Sequence, residues 1–449
     1  MLAMPGVRMG SGGRAGIMLR RDSLRGTSPE YASVVAPEQT QTATAIRSRL
    51  DEALAAVREF VSRDIVLQAA GVWLATRVAF IVLTYYIGAM IVGGSPSANT
   101  LLHSWQEFDS NWYVQIAELG YDGIQPTAFF PLYPMLIHAA TWVLGDANRL
   151  LAAMIVANLG SLLAFVAISL LAAHEYGSAA GPKTARMLAA YPLAFFLFAP
   201  YTEGLFIGFA ALAFLCARRG QWQWAALWTF LAGLTRPTGV ILIPALLWEY
   251  GQQRGWWQLA YWREGRWKEL LNIRPLAQLA LVLGAVPAAI GLFVAYTGIK
   301  LGHPLATFNS HHTFWNRHDA PIWQTIPQVI VNGITQPFAS RPQSLILLDL
   351  TTVLAVAIIT LVLIRRQPVA FTLYTAGLLY LSLYAPEPRS PVLIDAAGRF
   401  MIAAIPVFLL LGKWAVRRPT LEMLLLSLGF MLQAIFVVMF ITQLHVLVE

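Results

Sequence analysis

An acid stands at the head of an aromatic-rich segment, Phe108 to Pro134, FDSNWYVQIAELGYDGIQPTAFFPLYP. Asp109 opens it, and a Pro-bracketed aromatic block, Phe129-Phe130-Pro131-Leu132-Tyr133-Pro134, closes it at the start of an apolar run. This is the first long stretch between hydrophobic segments. A carboxylate that close to hydrocarbon is expensive, so its default reading is functional. The chemistry it suits is general-base work, taking a proton from a hydroxyl as that oxygen attacks. The competing reading is a helix N-cap, because Asp-Ser-Asn before WYVQIAEL is good capping chemistry. A cap accepts backbone protons and would spoil the basicity, and Ser110 or Asn111 could cap instead. Glu107 and Glu118 read as solvated face residues.

The elements that must hold such a site are membrane helices. The chain has 449 residues, 57% hydrophobic and 12% charged. A soluble domain carries roughly twice that charged fraction. Apolar runs near the spanning length of about 20 residues recur along most of it. The expected class is an all-α polytopic integral membrane protein. Fifteen Trp and fifteen Tyr suit interfacial belts. Cys216 is the one cysteine, which excludes an intramolecular disulfide and a multi-Cys metal cluster. The net charge of +8 fits cytoplasmic loops, where Lys and Arg fix orientation, and not nucleic-acid binding.

Residues 1–45 are rich in Gly, Ser, Arg and Thr and lack the apolar middle of a signal peptide, which predicts a disordered cytoplasmic tail. Residues 46–64 carry Ile46, Leu50, Leu54, Val57 and Val61 at helical spacing, which predicts an amphipathic interfacial helix. The membrane domain is expected over 65–449, with a first span near Ile65–Val92 and a cytoplasmic N-terminus. Basic residues place 251–275 (Arg254, Arg263, Arg266, Lys268 and Arg274, with four Trp between them), Arg365-Arg366 and Lys413 with Arg417-Arg418 in the cytoplasm. The first of these predicts an interfacial helix. The outward loops are then about 93–128, 298–345 and 386–398. Arg218-Arg219 conflicts with this scheme, because 224–250 is long enough for only one span. Either that pair is outside, or Thr235-Arg236-Pro237 is the tip of a re-entrant hairpin; the sequence leaves both open.

Five blocks in order carry a resemblance. They are Phe108-Asp109 with Trp112-Tyr113, Ile116-Ala117, Gly120-Tyr121 and Phe129–Pro134; YPLAFFLFAPYTEGLF from Tyr191; LAGLTRPTGVILIP from Leu231; GHPLATF…WNRHDAP from Gly302; and Gly398-Arg399-Phe400. This chain resembles the PIG-V-like mannosyltransferase family, relatives of GPI mannosyltransferase II, from about residue 65 onward. It departs from the pattern at Phe108 (usually Trp), Thr202 (Ser) and His303 (Asp). The resemblance implies a GT-C glycosyltransferase fold with about 10–12 transmembrane helices. It also implies an inverting transfer of mannose from polyprenyl-phosphate mannose to a hydroxyl of a lipid-linked or glycan acceptor, on the outer face. The length and Arg-rich tail point to a bacterial plasma membrane, so a GPI acceptor does not carry over.

That reaction needs a base, cations for the departing lipid phosphate and a groove for the prenyl chain. Asp109 is the expected base. Arg399, Arg236 and Arg317 are the expected phosphate ligands, since Arg suits bidentate phosphate contact. Each has a plainer reading: Arg399 as an interface anchor, Arg236 as a buried partner of Glu203, Arg317 as a wet loop residue. Trp112, Tyr113, Tyr201, Glu203 and His303 are expected to contact substrate. His303, His311, His312 and His318 match no compact zinc spacing, so neither metal nor other cofactor is expected. The alternatives are the same fold using another polyprenyl-phosphate sugar, or a transporter or flippase of lipid-linked sugars. A transporter would need a midplane site open to both sides and often two similar halves, and no repeat of the blocks is present.

Overall fold

Long apolar runs leave the backbone one way to satisfy its polar groups in lipid, the α-helix. A computed structural model describes residues 62–442 other than 267, 269–271, 339, 389 and 391. All regular structure among the described residues is helical. The expected tail, and nearly all of the expected helix over 46–64, lie outside the described residues.

Helix α1 (Arg63–Val92) ends at Gly93, whose φ of 68° only glycine adopts freely. The chain then doubles back through two short helices, α2 (Ala98–His103) and α3 (Asp109–Leu119). Trp105 Nε1 donates to Thr84 Oγ1 at 3.1 Å, so the link between them sinks beside the last third of α1. After α4 (Leu132–Leu144), α5 (Arg149–Tyr176) runs antiparallel to α1. Trp73 Nε1 bonds Ser161 Oγ at 3.1 Å in the middle of the pair.

Two hairpins follow. Helix α6 (Ala180–Ala189) leaves the end where α5 stopped, gives way to irregular chain around a 3-10 turn at Ala194–Leu197, and reverses before α7 (Glu203–Arg218). Small residues set the register of α7 on α5. A Cβ on Gly204 would fall 2.6 Å from Ser161 N, and one on Gly208 3.2 Å from Ala164 N. Such close backbone approach is how helices associate where no water drives them together. Arg218 Nε lies 2.6 Å from Glu175 Oε1, so α7 starts beside the middle of α5 and finishes beside its end.

Helices α8 (Trp222–Thr235) and α9 (Leu242–Arg254) repeat the manoeuvre around Arg236 and a 3-10 turn at Pro237–Ile241. A Cβ on Gly239 would sit 2.9 Å from Gly233 Cα, so the returning chain lies directly on α8. Arg218 Nη1 is 3.0 Å from Glu249 Oε1, and Gln253 Nε2 donates to Ala217 O at 2.8 Å. The open ends of both hairpins therefore share one end of the bundle. Of the two readings of Arg218-Arg219, this geometry matches the hairpin: Thr235-Arg236-Pro237 is its tip, and both arms have their open ends beside Arg218. Arms of 14 and 13 residues fall short of the lower spanning limit of about 17.

The segment 251–275 differs from expectation. Helix α9 stops at Gly255, Trp257 folds back to stack on Trp248 at 4.2 Å, and the described residues before α11 hold the short helix α10 (Leu259–Arg263) with 3-10 turns at Arg266 and Lys268. The aromatic rings pack on one another instead of lining one face of a continuous helix.

Helix α11 (Ile273–Leu301) crosses from this end, where Tyr250 bonds Pro275 O at 2.8 Å, to the other, where Phe293 meets Tyr121 and Phe130 at 5.1 and 5.3 Å. At that far end lie α12 (Ala306–Thr313) and α13 (Ile322–Thr335). Helix α14 (Arg341–Val362) returns and α15 (Val369–Tyr384) rises again, from Phe371 on Phe214 to Tyr384 O, which accepts from Ala320 N at 2.9 Å. The next element is broken: α16 (Ala397–Phe400) with the turn Met401–Ala403 meets α17 (Ile405–Arg417) at 66°. Finally α18 (Pro419–Ile441) climbs from Glu422, which pairs with Lys183 and Arg186, to Phe440 against Trp105.

Five of these helices are long and apolar enough to cross a bilayer, six if the bent pair counts as one. The remaining apolar segments among the described residues are hairpin arms and short helices, among them α4 and α15. Their purpose is visible in what the breaks bring together.

Candidate active site

Four chain breaks converge: the start of α3, the tip between α6 and α7, the tip between α8 and α9, and the broken element α16. Each contributes one charged side chain. Arg399 Nη2 lies 2.7 Å from Asp109 Oδ2 and Arg399 Nε lies 3.6 Å from Glu203 Oε1. Arg236 Nη1 lies 2.7 Å from the same Glu203 oxygen and 3.4 Å from Thr202 Oγ1. The result is a row of alternating sign, Asp109–Arg399–Glu203–Arg236. Side-chain exposure is 22% at Asp109, 9% at Arg399, 2% at Glu203 and 16% at Arg236, so the row is most deeply buried at its centre and Asp109 is its wetter end.

Local structure explains each placement. Phe108 takes φ 50°, a conformation that side chains rarely adopt, and Asp109 follows as the first residue of α3. Asp109 therefore caps nothing. Ser110 Oγ donates to Glu107 O at 2.6 Å, and the Asp109 carboxylate turns to Arg399. The positive end of α3 favours negative charge at this position. Phe196, Tyr201 and Phe400 each stand 5.3 Å from the Arg399 guanidinium carbon, and Phe400 lies at the same distance from Arg236. These π-faces help to hold buried cations. Arg399 Nε and Glu203 Oε2 are buried without a hydrogen-bond partner among the described residues.

Two tyrosines frame the row. Tyr201 donates to Glu107 O at 2.8 Å, tying the hairpin tip to the segment before Asp109. The Tyr113 hydroxyl lies 3.4 Å from Thr202 Oγ1. Burial, and then the neighbouring Asp109, push the Tyr113 phenol well above its ordinary range, so it stays protonated at neutral pH.

Other expected residues lie apart from the row. Trp112 stacks on Phe129 at 6.0 Å and meets Trp315 at 6.2 Å, on the side of α12 and α13. Arg317 is not a loose loop residue. Its guanidinium donates to Ala385 O and Asp395 O, both at 3.2 Å, and so fastens the segment before α16. His303 is exposed in the turn between α11 and α12. Glu118 pairs with Arg149 at 3.2 Å on the surface, as a solvated face residue would.

No group of three or more His, Cys, Asp or Glu side chains comes together among the described residues. The His312 and His318 rings are 6.1 Å apart, and His318 Nε2 bonds Asn316 Oδ1 at 3.1 Å. Burial, then the charges of Arg317 and His312, lower the basicity of His311.

Two further residues take part: Asp349, which lies outside the five motif blocks, and Tyr191, which opens the second block and is given no site role there. Asp349 Oδ1 accepts from Gly398 N at 2.6 Å, and the Tyr191 hydroxyl donates to Gly398 O. A signal was present: Asp349 is an acid inside the apolar run LILLDLTTVLAV.

Residues 94–303 match the family model described as Mannosyltransferase (PIG-V), and over that span the chain is PIG-V-like. The match holds Asp109, Glu203 and Arg236. No curated protein matches the chain. Among solved structures, the crystal structure of ArnT from Cupriavidus metallidurans bound to undecaprenyl phosphate is similar, with a TM-score of 0.45 and 13% sequence identity. That similarity covers 77% of this chain, which spans 60% of the length of the ArnT chain.

Proposed function

We propose that the protein is a membrane glycosyltransferase of the inverting kind, moving mannose from polyprenyl-phosphate mannose to an acceptor hydroxyl. The observation that carries the reading is the 2.7 Å pair of Asp109 and Arg399, a candidate base and a candidate phosphate ligand on adjoining chain breaks. The similarity of residues 94–303 to mannosyltransferases supports the sugar.

The acceptor hydroxyl attacks the anomeric carbon, its proton passes to Asp109, and the bond from that carbon to the phosphate oxygen breaks. A phosphate leaving group needs no general acid, so one carboxylate suffices. The charges balance at Arg399. As Asp109 takes the proton it loses one negative charge, and the departing lipid phosphate gains one as it passes from diester to monoester. Arg399 can follow that charge because a guanidinium carries five N–H donors, of which its Nε has no hydrogen-bond partner here. Arg236 backs Glu203, and Glu203 keeps Arg399 from swinging away from Asp109. These residues give the chemistry without a metal ion or other cofactor. Arg317 serves by fastening the chain ahead of Arg399.

Basic loops orient the molecule. Arg218, Arg254 and Arg417 finish helices, and Arg366 lies in the turn after α14, at the end where the hairpins open, which the positive-inside rule assigns to the cytoplasm. The site then faces outward and receives a lipid donor laterally. Beneath it the hairpin core is closed by Phe206, Ala210 and Phe214, all buried. That favours an enzyme open on one face over a transporter open on both. The test is to incubate purified protein with polyprenyl-phosphate mannose, glucose and pentose together with a lipid extract, and to identify products by mass spectrometry. A mannosylated product formed also in EDTA is expected. Transport of the donor without a glycosylated product would overturn the proposal.

A further inference from the structure

Arg399 owes its position to the residue before it. Gly398 N donates to Asp349 Oδ1 at 2.6 Å, and Gly398 O accepts from the Tyr191 hydroxyl. Both polar groups of one residue are thus taken by side chains from two other elements, α14 and the chain after α6. The space beside this glycine is tight: a Cβ at 398 would fall 3.0 Å from Asp349 Oδ1, 3.1 Å from Thr352 Oγ1 and 3.2 Å from Leu193 Cδ1, so these neighbours would have to give way to a side chain.

The supports are themselves held. Asp349 is 4% exposed and one turn before Thr352 on α14. Tyr191 O accepts from Gln433 Nε2 at 2.9 Å, and the same nitrogen bonds Ala189 O at 3.1 Å, which anchors the top of α6 to α18. On the other side Ala396, two residues before Gly398, takes a left-handed φ of 65°. A non-glycine residue keeps that conformation only where its surroundings impose it. A buried carboxylate in a membrane helix that bonds a backbone N–H calls for a functional reason.

We infer that Asp349 and Tyr191 are positioning residues that clamp Gly398, and through it set the reach of the Arg399 guanidinium toward Asp109 and the donor phosphate. Neither touches the reacting atoms. The clamp also joins Arg399 to the hairpin that carries Tyr201 and Glu203, since Tyr191 begins the irregular chain leading to that tip. The inference rests on the proposed role of Arg399 as a donor ligand for its kinetic consequence, but not for its geometry.

Four variants test it: Asp349→Asn, Asp349→Ala, Tyr191→Phe and Asp349→Ala combined with Arg399→Ala. Asn retains an oxygen that can accept from Gly398 N, so Asp349→Asn should stay within a few-fold of wild type. Asp349→Ala and Tyr191→Phe should raise the KM for polyprenyl-phosphate mannose on the order of tenfold or more, because small misplacements of a positioning group are costly. In the Arg399→Ala background, Asp349→Ala should add no further rise. A merely structural role would lower the yield of folded protein and leave the donor KM unchanged. Electron cryo-microscopy of the wild-type protein and of Asp349→Ala reads the geometry whatever the activity. Loss of the Arg399–Asp109 contact in the variant is expected, and its persistence would overturn the clamp. If the wild-type protein transfers no sugar while that contact still depends on Asp349, the proposed function fails and the clamp stands.

Discussion

Arg236 Nη1 and Glu203 Oε1 stand 2.7 Å apart at the tips of two different hairpins. Both hairpins enter from the end marked by Arg218 and Glu249, which pair at 3.0 Å. The two ion pairs thus pin the hairpins to each other at tip and base. Between them the arms hold apolar side chains such as Phe206, Phe209 and Phe214. The two hairpins place the charged tips within the bundle, in contact with one another and with Arg399, which pairs with Asp109, where irregular backbone is buried in protein.

Glu203→Gln should therefore destabilise as well as inactivate. Glu203 is buried and faces two guanidiniums, so its neutral isostere leaves them less compensated. Breaking a buried ion pair costs about 3–5 kcal/mol. Thermal unfolding of the detergent-solubilised protein should show a clear fall in midpoint. A variant with wild-type stability and activity would remove Glu203 from the centre of the row.

Asp109→Asn is expected to behave differently, because Asp109 lies at the wetter edge and its side chain caps no helix. The amide oxygen can still accept from Arg399, so the fold should survive. Basicity is gone, and turnover should fall on the order of 10²–10⁴-fold. Single-turnover transfer from polyprenyl-phosphate mannose measures this directly. Near-normal turnover in a folded variant would assign the base to another group.

Arg399→Ala should act on the donor. Loss of a charged hydrogen bond to phosphate weakens binding by about 1.5–3 kcal/mol. Lys should rescue only in part, since it lacks the planar fork that can meet Asp109 and a phosphate together. Titration of polyprenyl phosphate as an inhibitor reads the effect without turnover. Equal inhibition of wild type and Arg399→Ala would leave Arg399 a structural partner of Asp109.

How much of this was legible follows from particular residues. Asp109, Glu203, Arg236 and Arg399 were each conspicuous as charges beside apolar runs, so the members of the row could be named. Their alternation could not, because it depends on hairpin tips meeting in space. The plainer reading of Arg236 as a partner of Glu203 is what the geometry shows, and it coexists with a role in the site. The hairpin at Thr235-Arg236-Pro237 stayed undecided because an apolar pattern does not report direction. Only the contact of Arg218 with Glu249 supplies that. Arg317 was named for its charge, but a guanidinium bonded to main-chain carbonyls serves the fold. Asp349 was missed although the rule that singled out Asp109 applies equally to it.

Sidedness is the last prediction, and the mechanism depends on it. A lipid donor must meet Asp109 and Arg399 from the face opposite the hairpin openings. With Cys216 replaced by Ala, cysteines at Asp122 and Asn309 should react with a membrane-impermeant thiol reagent added outside intact cells, and one at Gln252 should not. All three positions are exposed, whereas Ser310 is buried against Gln125 and would report burial instead of topology. The positive-inside rule gives the direction, since Arg254, Arg366 and Arg417 share the end that carries Gln252. Reaction at Gln252→Cys with protection of both other positions would invert the molecule. The site would then face the cytoplasm, where a nucleotide sugar is the better donor, and the charge exchange proposed at Arg399 would have to operate on a diphosphate.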